Sequence, residues 1–186
     1  FCGMLADAQA QGPEVRSSAL LLNEVNCSAG FAGNYPCSNV DLLSHLPLSV
    51  FGSNSANDIW GWKDSTSGRE FALLGLQDGT AMVEISDPVN PVYLGKLPTQ
   101  TVESTWHDIK VYNNHAFIVS EASSHGMQVF DLSQLLSLSS PPVTFKETAF
   151  YDGVGDAHNI VINEATGFAY IVGGTNGCSG GLHMVN

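Results

Sequence analysis

Three dipeptides in this chain combine residue types that bind cations: Asn57-Asp58, His107-Asp108 and His158-Asn159. An imidazole beside a carboxylate is a donor set for Zn²⁺ or another transition metal, and an Asp carboxylate beside an Asn carbonyl suits Ca²⁺. The pairs start 50 and 51 residues apart, the period of a repeated supersecondary unit. If each pair opens an equivalent strand, then Asp58, His107, Asp108, His158 and Asn159 gather at one mouth of a central channel, where a cation such as Ca²⁺ or Zn²⁺ would sit. The competing expectation is structural: polar residues at strand starts cap backbone groups or line a wet channel, and the pairs change identity between repeats. The structural role is the stronger of the two.

No other constellation points to catalysis. No serine lies in a Gly-x-Ser-x-Gly elbow, and Gly177-Cys178-Ser179-Gly180-Gly181 lacks the strand-to-helix context that an elbow needs. Gly173-Gly174-Thr175-Asn176-Gly177 is followed by neither a helix nor a lysine, so it is no phosphate cradle. His115, His125 and His183 fall at strand edges or turns and are expected at the surface. Trp60, Trp62 and Trp106 are expected to pack between sheets rather than to stack on sugars.

The elements that must carry the three pairs are strands. After Asn57 come Glu70 to Gly75, Thr80 to Ile85 and Val92 to Pro98; after His107 come His115 to Ser120, Gly126 to Asp131 and Val143 to Glu147. The third start, at His158, is followed by Gly167 to Val172 and Gly181 to Val185. Four short strands per unit, rich in β-branched and aromatic residues and broken by Gly, Asp, Asn and Pro, describe an all-β fold, a β-propeller of four-stranded blades. The blades are expected at 57–98 and 107–148, with a partial one at 158–186. The Leu132 to Leu138 stretch reads as a helical turn, and Asn113-Asn114 as a hairpin loop.

Residues 1–39 lie outside this pattern, with a short amphipathic helix expected from Pro13 to Val25. Leu43-Ser44-His45-Leu46-Pro47 copies Leu94-Gly95-Lys96-Leu97-Pro98, so 40–48 is expected as an outer strand that closes a ring, beside a strand this chain does not contain. About two and a half blades cannot close by themselves, and the expectation is an N-terminal fragment whose missing C-terminal blades belong to the same polypeptide.

Composition narrows the partners. A net charge of -12 repels nucleic acid and anionic membranes, and no apolar run approaches the roughly 20 residues of a membrane helix, so no membrane insertion is expected in this segment. Cys27 and Cys37 bracket a loop with Gly30, Gly33 and Pro36 and are expected to form a disulfide, as in exported proteins. Cys178 would then pair with Cys2 or with a cysteine elsewhere. The start at Phe1 suggests a leader already removed. Asn26-Cys27-Ser28 matches a glycosylation acceptor, a pattern common by chance.

At Tyr35-Pro36-Cys37, Asn57 to Trp62, Asp87 to Gly95, His125 to Leu132, Ala157 to Asn163 and Cys178 to Met184, the chain resembles the choice-of-anchor B family of exported bacterial proteins, whose propeller-like repeats are related to the LVIVD repeat. The resemblance runs from Tyr35 onward. It implies a propeller, a secreted or cell-surface location and further blades beyond Asn186, but no catalytic residues. Two functions follow as expectations. The first is a non-enzymatic surface module that binds a protein or glycan, with any cation structural and no cofactor assigned. The alternative is a metal-dependent hydrolase or lyase working at the channel mouth through His107, Asp108 and His158.

Overall fold

The computed structural model of the protein describes residues 23–175 and 180–186, and these form an all-β fold. Nearly all of the helix expected from Pro13, together with Cys2 and Cys178, lies outside the described residues. The strands are β1 (Phe31–Ala32), β2 (Tyr35–Pro36), β3 (Ala56–Lys63), β4 (Glu70–Leu76), β5 (Gly79–Glu84), β6 (Val92–Pro98) and β7 (His107–Tyr112). They continue with β8 (His115–Ser120), β9 (Met127–Asp131), β10 (Val143–Thr144), β11 (Ala149–Tyr151), β12 (Asn159–Asn163), β13 (Phe168–Val172) and β14 (His183–Val185).

Three larger sheets follow one another along the chain. The first runs β10-β6-β5-β4-β3, the second β11-β9-β8-β7 and the third β12-β13-β14, while β1 and β2 form a small hairpin of their own. Apart from the β10–β6 contact all pairings are antiparallel, and tight turns join β4 to β5 and β7 to β8. Asn113 and Asn114 take φ of 48° and 59° between paired Tyr112 and His115, the two left-handed residues that match a hairpin's twist. The predicted helical turn is a 3-10 helix over Leu132–Ser137, and Asp131 caps it by accepting from the Ser133 amide at 2.9 Å.

Alternation along each strand divides the side chains between two neighbours. Ile109, Ala116, Ile118 and Phe130 of the second sheet pack on Leu73, Met82 and Leu97 of the first. On the other face of the second sheet, Val119 and Met127 pack on Ile160, Ala169 and Ile171 of the third. Face-to-face burial of this kind, at roughly 25 cal/mol for each Å² of apolar surface, is what holds the three sheets together.

One expected strand is placed differently. Residues 143–147 were expected to complete the second sheet, but Val143–Thr144 runs parallel to β6 of the first, paired Val143 with Gly95 and Thr144 with Lys96. Ala149–Tyr151 takes the fourth place in the second sheet instead, so that sheet ends at Tyr151 rather than at 148. Gly95 permits the exchange: its φ is 141° and a β-carbon there would overlap the Val143 carbonyl. Gly95→Ala should therefore detach β10 and cost about 2 kcal/mol, the worth of a few ladder hydrogen bonds. Thermal melts would measure the cost, and faster amide exchange confined to residues 143–145 would locate it.

Residues 40–48, expected beside a strand that this chain does not contain, join none of the sheets among the described residues. Leu42 makes a single bridge to Val25, and Leu46, Leu48 and Val50 pack with Phe51 against Leu76, Ala81 and Val83 on the free face of the first sheet. Within the described residues the segment lies against a sheet face; the strand expected beside it is not part of this chain. His45, expected on an outer strand in solvent, packs its ring 5.2 Å from that of Tyr35.

The expected disulfide is present: Cys27 and Cys37 are joined across a Cα separation of 5.8 Å. It closes the β1–β2 hairpin, which is tied to the following chain by the Val25–Leu42 bridge, by the Cys27 amide on Asp41 Oδ1 at 2.7 Å and by the Tyr35 ring beside His45. Cys27→Ser with Cys37→Ser should raise amide exchange across residues 25–42 and leave β3 to β14 protected. Equal loosening of the sheets would show that the hairpin props them.

Candidate functional site

The dipeptides that open β3, β7 and β12 sit where one sheet meets the next, and adjacent residues of a strand point to opposite faces. Each dipeptide is therefore split. Asp58, on the face of β3 that looks toward the second sheet, accepts the Ile109 amide through Oδ2 at 2.8 Å. Asp108, on the equivalent face of β7, accepts the Ile160 amide at 2.7 Å and the Asn159 carboxamide at 3.2 Å, both through Oδ2. The two carboxylates thus do the same thing 51 and 52 residues ahead of themselves: each secures an edge-strand amide of the next sheet.

Asn57 adds a second tie at the first junction. Its carboxamide donates to the His107 carbonyl at 2.8 Å and accepts the His107 amide at 3.2 Å, so one side chain satisfies both backbone groups of that residue. Further out along the same junction, Trp62 Nε1 donates to Asn114 Oδ1 at 3.1 Å and Arg69 donates to the Leu136 carbonyl at 3.0 Å while paired with Glu84. Asp108 is also paired with Lys110, whose ammonium lies 4.5 Å from the Trp60 ring centroid. The carboxylate that looked free for a metal is occupied by an amide, a carboxamide and an ammonium.

The histidines go elsewhere. His107 shares its face with Ile109, not with Asp108, and is buried against the first sheet with its ring edge-on to His125 at 5.7 Å. Among the described residues neither ring nitrogen of His107 has a hydrogen-bond partner, while the His125 Nδ1–H donates to the Gly126 carbonyl at 3.0 Å. Burial, with the His125 ring beside it, holds the His107 pKa down at about 4 against a weaker upward pull from Asp78 and the Thr105 backbone. Burial likewise lowers that of His125. His125 was expected at the surface; it is wholly buried because Gly126, at φ 68°, turns the chain beneath β11. His158 is exposed and pairs with Glu121.

The five residues read as a metal set are therefore dispersed: Asp108 and Asn159 touch, Asp58 serves another junction, His107 faces away and His158 has its own carboxylate. Among the described residues no three His, Cys, Asp or Glu side chains converge as a metal-binding group. Sequence reasoning passed over His125, Asn57 and Glu121 as partners. The alternation of side chains was the available signal, since it puts His107 with Ile109 and Asp108 on the opposite face.

Among the described residues, open clefts lie near the junctions. One of about 350 Å³ is lined by Trp62, Lys63, Tyr112, Asn113, Asn114 and Glu164, at the hairpin ends of all three sheets. Another, about 220 Å³, lies on the outward face of the third sheet among Asn159, Val161, Tyr170, Val172 and Leu182, with Lys110 at its rim.

Fold and site together define an all-β protein of consecutive antiparallel sheets, joined face to face by carboxylate-to-amide latches. Compared with protein-family models, curated proteins and solved structures, the chain finds no match.

Proposed function

We propose that the three sheets are adjacent blades of a β-propeller and that the protein is an exported binding module, which uses the cleft at the blades' hairpin ends to hold a glycan. The observation that carries the reading is that cleft: it spans three sheets and combines the half-buried ring of Tyr112, over a floor formed by the buried Trp62, with Lys63, Asn113, Asn114 and Glu164. Aromatic surface beside amide, ammonium and carboxylate groups suits the C–H face and hydroxyls of a sugar. The blade reading is supported by the repeated latches, and export by the Cys27–Cys37 disulfide and by the resemblance to the choice-of-anchor B family. No helix of the described residues is long and apolar enough to cross a membrane.

A glycan array probed with the purified protein tests the reading. Binding to a restricted set of glycans is expected, with Asn113→Ala and Glu164→Ala each weakening it about tenfold, the worth of one well-made polar contact. Absence of binding to any glycan overturns the glycan form and leaves a protein partner. Stoichiometric zinc or iron in the purified protein, with hydrolysis or elimination of a test substrate, would overturn the non-enzymatic form.

A further inference from the structure

At the end of the first junction where β7 begins, six buried side-chain atoms lack a hydrogen-bond partner among the described residues: Asp78 Oδ1, Thr80 Oγ1, Thr99 Oγ1, both ring nitrogens of His107 and Nε2 of His125. His107, His125 and Thr80 are 4%, 0% and 1% exposed, so bulk water does not serve them. The six share one neighbourhood. His107 lies over Gly75, where an added β-carbon would come within 3.2 Å of its own, and Thr80 is the cross-strand partner of Gly75 on the same face. The His125 ring stands 5.7 Å from that of His107, the Asp78 charge acts on His107, and the Thr99 amide donates to the Asp78 carbonyl at 3.1 Å.

These atoms are rich in lone pairs and poor in donors. His125 spends its N–H on the Gly126 carbonyl at 3.0 Å, which leaves Nε2 as a buried lone pair. Anchoring one ring N–H on a backbone carbonyl is how metal-ligating histidines are oriented. His107 offers a second ring lone pair, and Asp78 Oδ1 can only accept. Against these stands one N–H, on His107, with two hydroxyls able to serve either way, so the group suits a cation. Burial lowers both histidine pKa values, so at neutral pH no proton competes for the nitrogens.

Charge and ligand number select the ion. Asp78 Oδ2 is already paired with Lys96, so little negative charge is left to offset a buried divalent ion. Zn²⁺ also asks for four ligands, and only two imidazoles meet here. Imidazole suits copper, and Cu⁺ carries a single charge and is satisfied by two nitrogens in line. Two imidazoles bridged in this way have ring centres about 6 Å apart, from metal–nitrogen bonds of about 2 Å and ring radii of about 1 Å. The observed 5.7 Å is close to that span, and rings inclined at 85° can share an in-line ion. We propose that His107 and His125 bind one Cu⁺ ion between them, with the Asp78 carboxylate and the Thr80 and Thr99 hydroxyls around it.

The full chain, stripped of metal and kept with ascorbate under nitrogen, is titrated with Cu⁺ in competition with bicinchoninate. One ion per chain is expected to leave the chelator, with X-ray absorption at the copper edge showing two nitrogen neighbours. His107→Leu and His125→Leu should each weaken binding at least about a hundredfold, the upper end of what losing even a hydrogen-bond partner of a ligand costs a metal site. His158→Ala, at the surface, should bind as wild type does. Cu⁺ should raise the melting temperature of the wild type and leave that of His107→Leu where it was. Should either leucine variant fail to fold, the absorption spectrum of the wild type still decides. Copper left with the chelator overturns the proposal and leaves ordered water as the occupant. Sulfur neighbours at the copper, binding untouched by both leucine variants, or Zn²⁺ held as tightly as Cu⁺ also overturn it.

Discussion

Asp108→Ala should lower stability by about 3–5 kcal/mol, the cost of stripping one partner from a buried, hydrogen-bonded charge pair. The carboxylate is 5% exposed and serves three donors: the Ile160 amide, the Asn159 carboxamide and the Lys110 ammonium. Its removal leaves the amide without an acceptor and Lys110 without its counter-charge at the second junction. For a chain of this size that loss corresponds to a fall in melting temperature of roughly 6–20 °C. Asp108→Asn keeps one oxygen for the amide and should cost roughly half as much. Thermal melts of both variants check the order, and an alanine variant that melts with wild type would show that the latch is dispensable.

The second large effect is with acid. The His107 pKa lies near 4 in the folded protein against an ordinary value of 6.5, so the unfolded chain binds the proton first. Stability from this group is therefore complete above pH 6.5, falls as pH drops toward 4 and levels off below. At about 1.36 kcal/mol for each pH unit, the loss is about 3 kcal/mol, with His125 adding in the same direction. The carboxylates held low, Glu84 by Arg69 and Ser86 and Asp131 by Ser133, lose their contribution only further down, below their own ordinary range. His107→Leu should flatten the slope between pH 6.5 and 4.5. At neutral pH it should be neutral or stabilising, because two unpartnered nitrogens leave the core with it. Urea unfolding at several pH values measures both, and an unchanged slope in the variant would place the acid sensitivity elsewhere.

Much of the fold was legible in the residues because the spacing of Asn57, His107 and His158 and the apolar alternation after each are local and regular. Inner, second and third strands fell where alternation placed them, and Cys27 and Cys37 were readable from a short loop rich in Gly and Pro. The outer elements were not. Val143–Thr144 has the same β-branched character whether it joins the first sheet or the second, and the choice was made by the close approach that Gly95 permits. The site failed for a different reason. Grouping His107 with Asp108 treated neighbours in sequence as neighbours in space, whereas in a strand they diverge. His107 went to a core with His125, and Asp108 to the next sheet's amide.

Asp58 and Asp108 fasten each sheet to the next through single backbone amides. Residue-resolved hydrogen exchange of Ile109 and Ile160 tests it most directly, since both lie on inner edge strands and owe their protection to a side chain. Slow exchange is expected at both in the wild type, with selective loss of protection at Ile109 in Asp58→Asn and at Ile160 in Asp108→Asn. Fast exchange at both amides in the wild type, or protection untouched by either substitution, would contradict it.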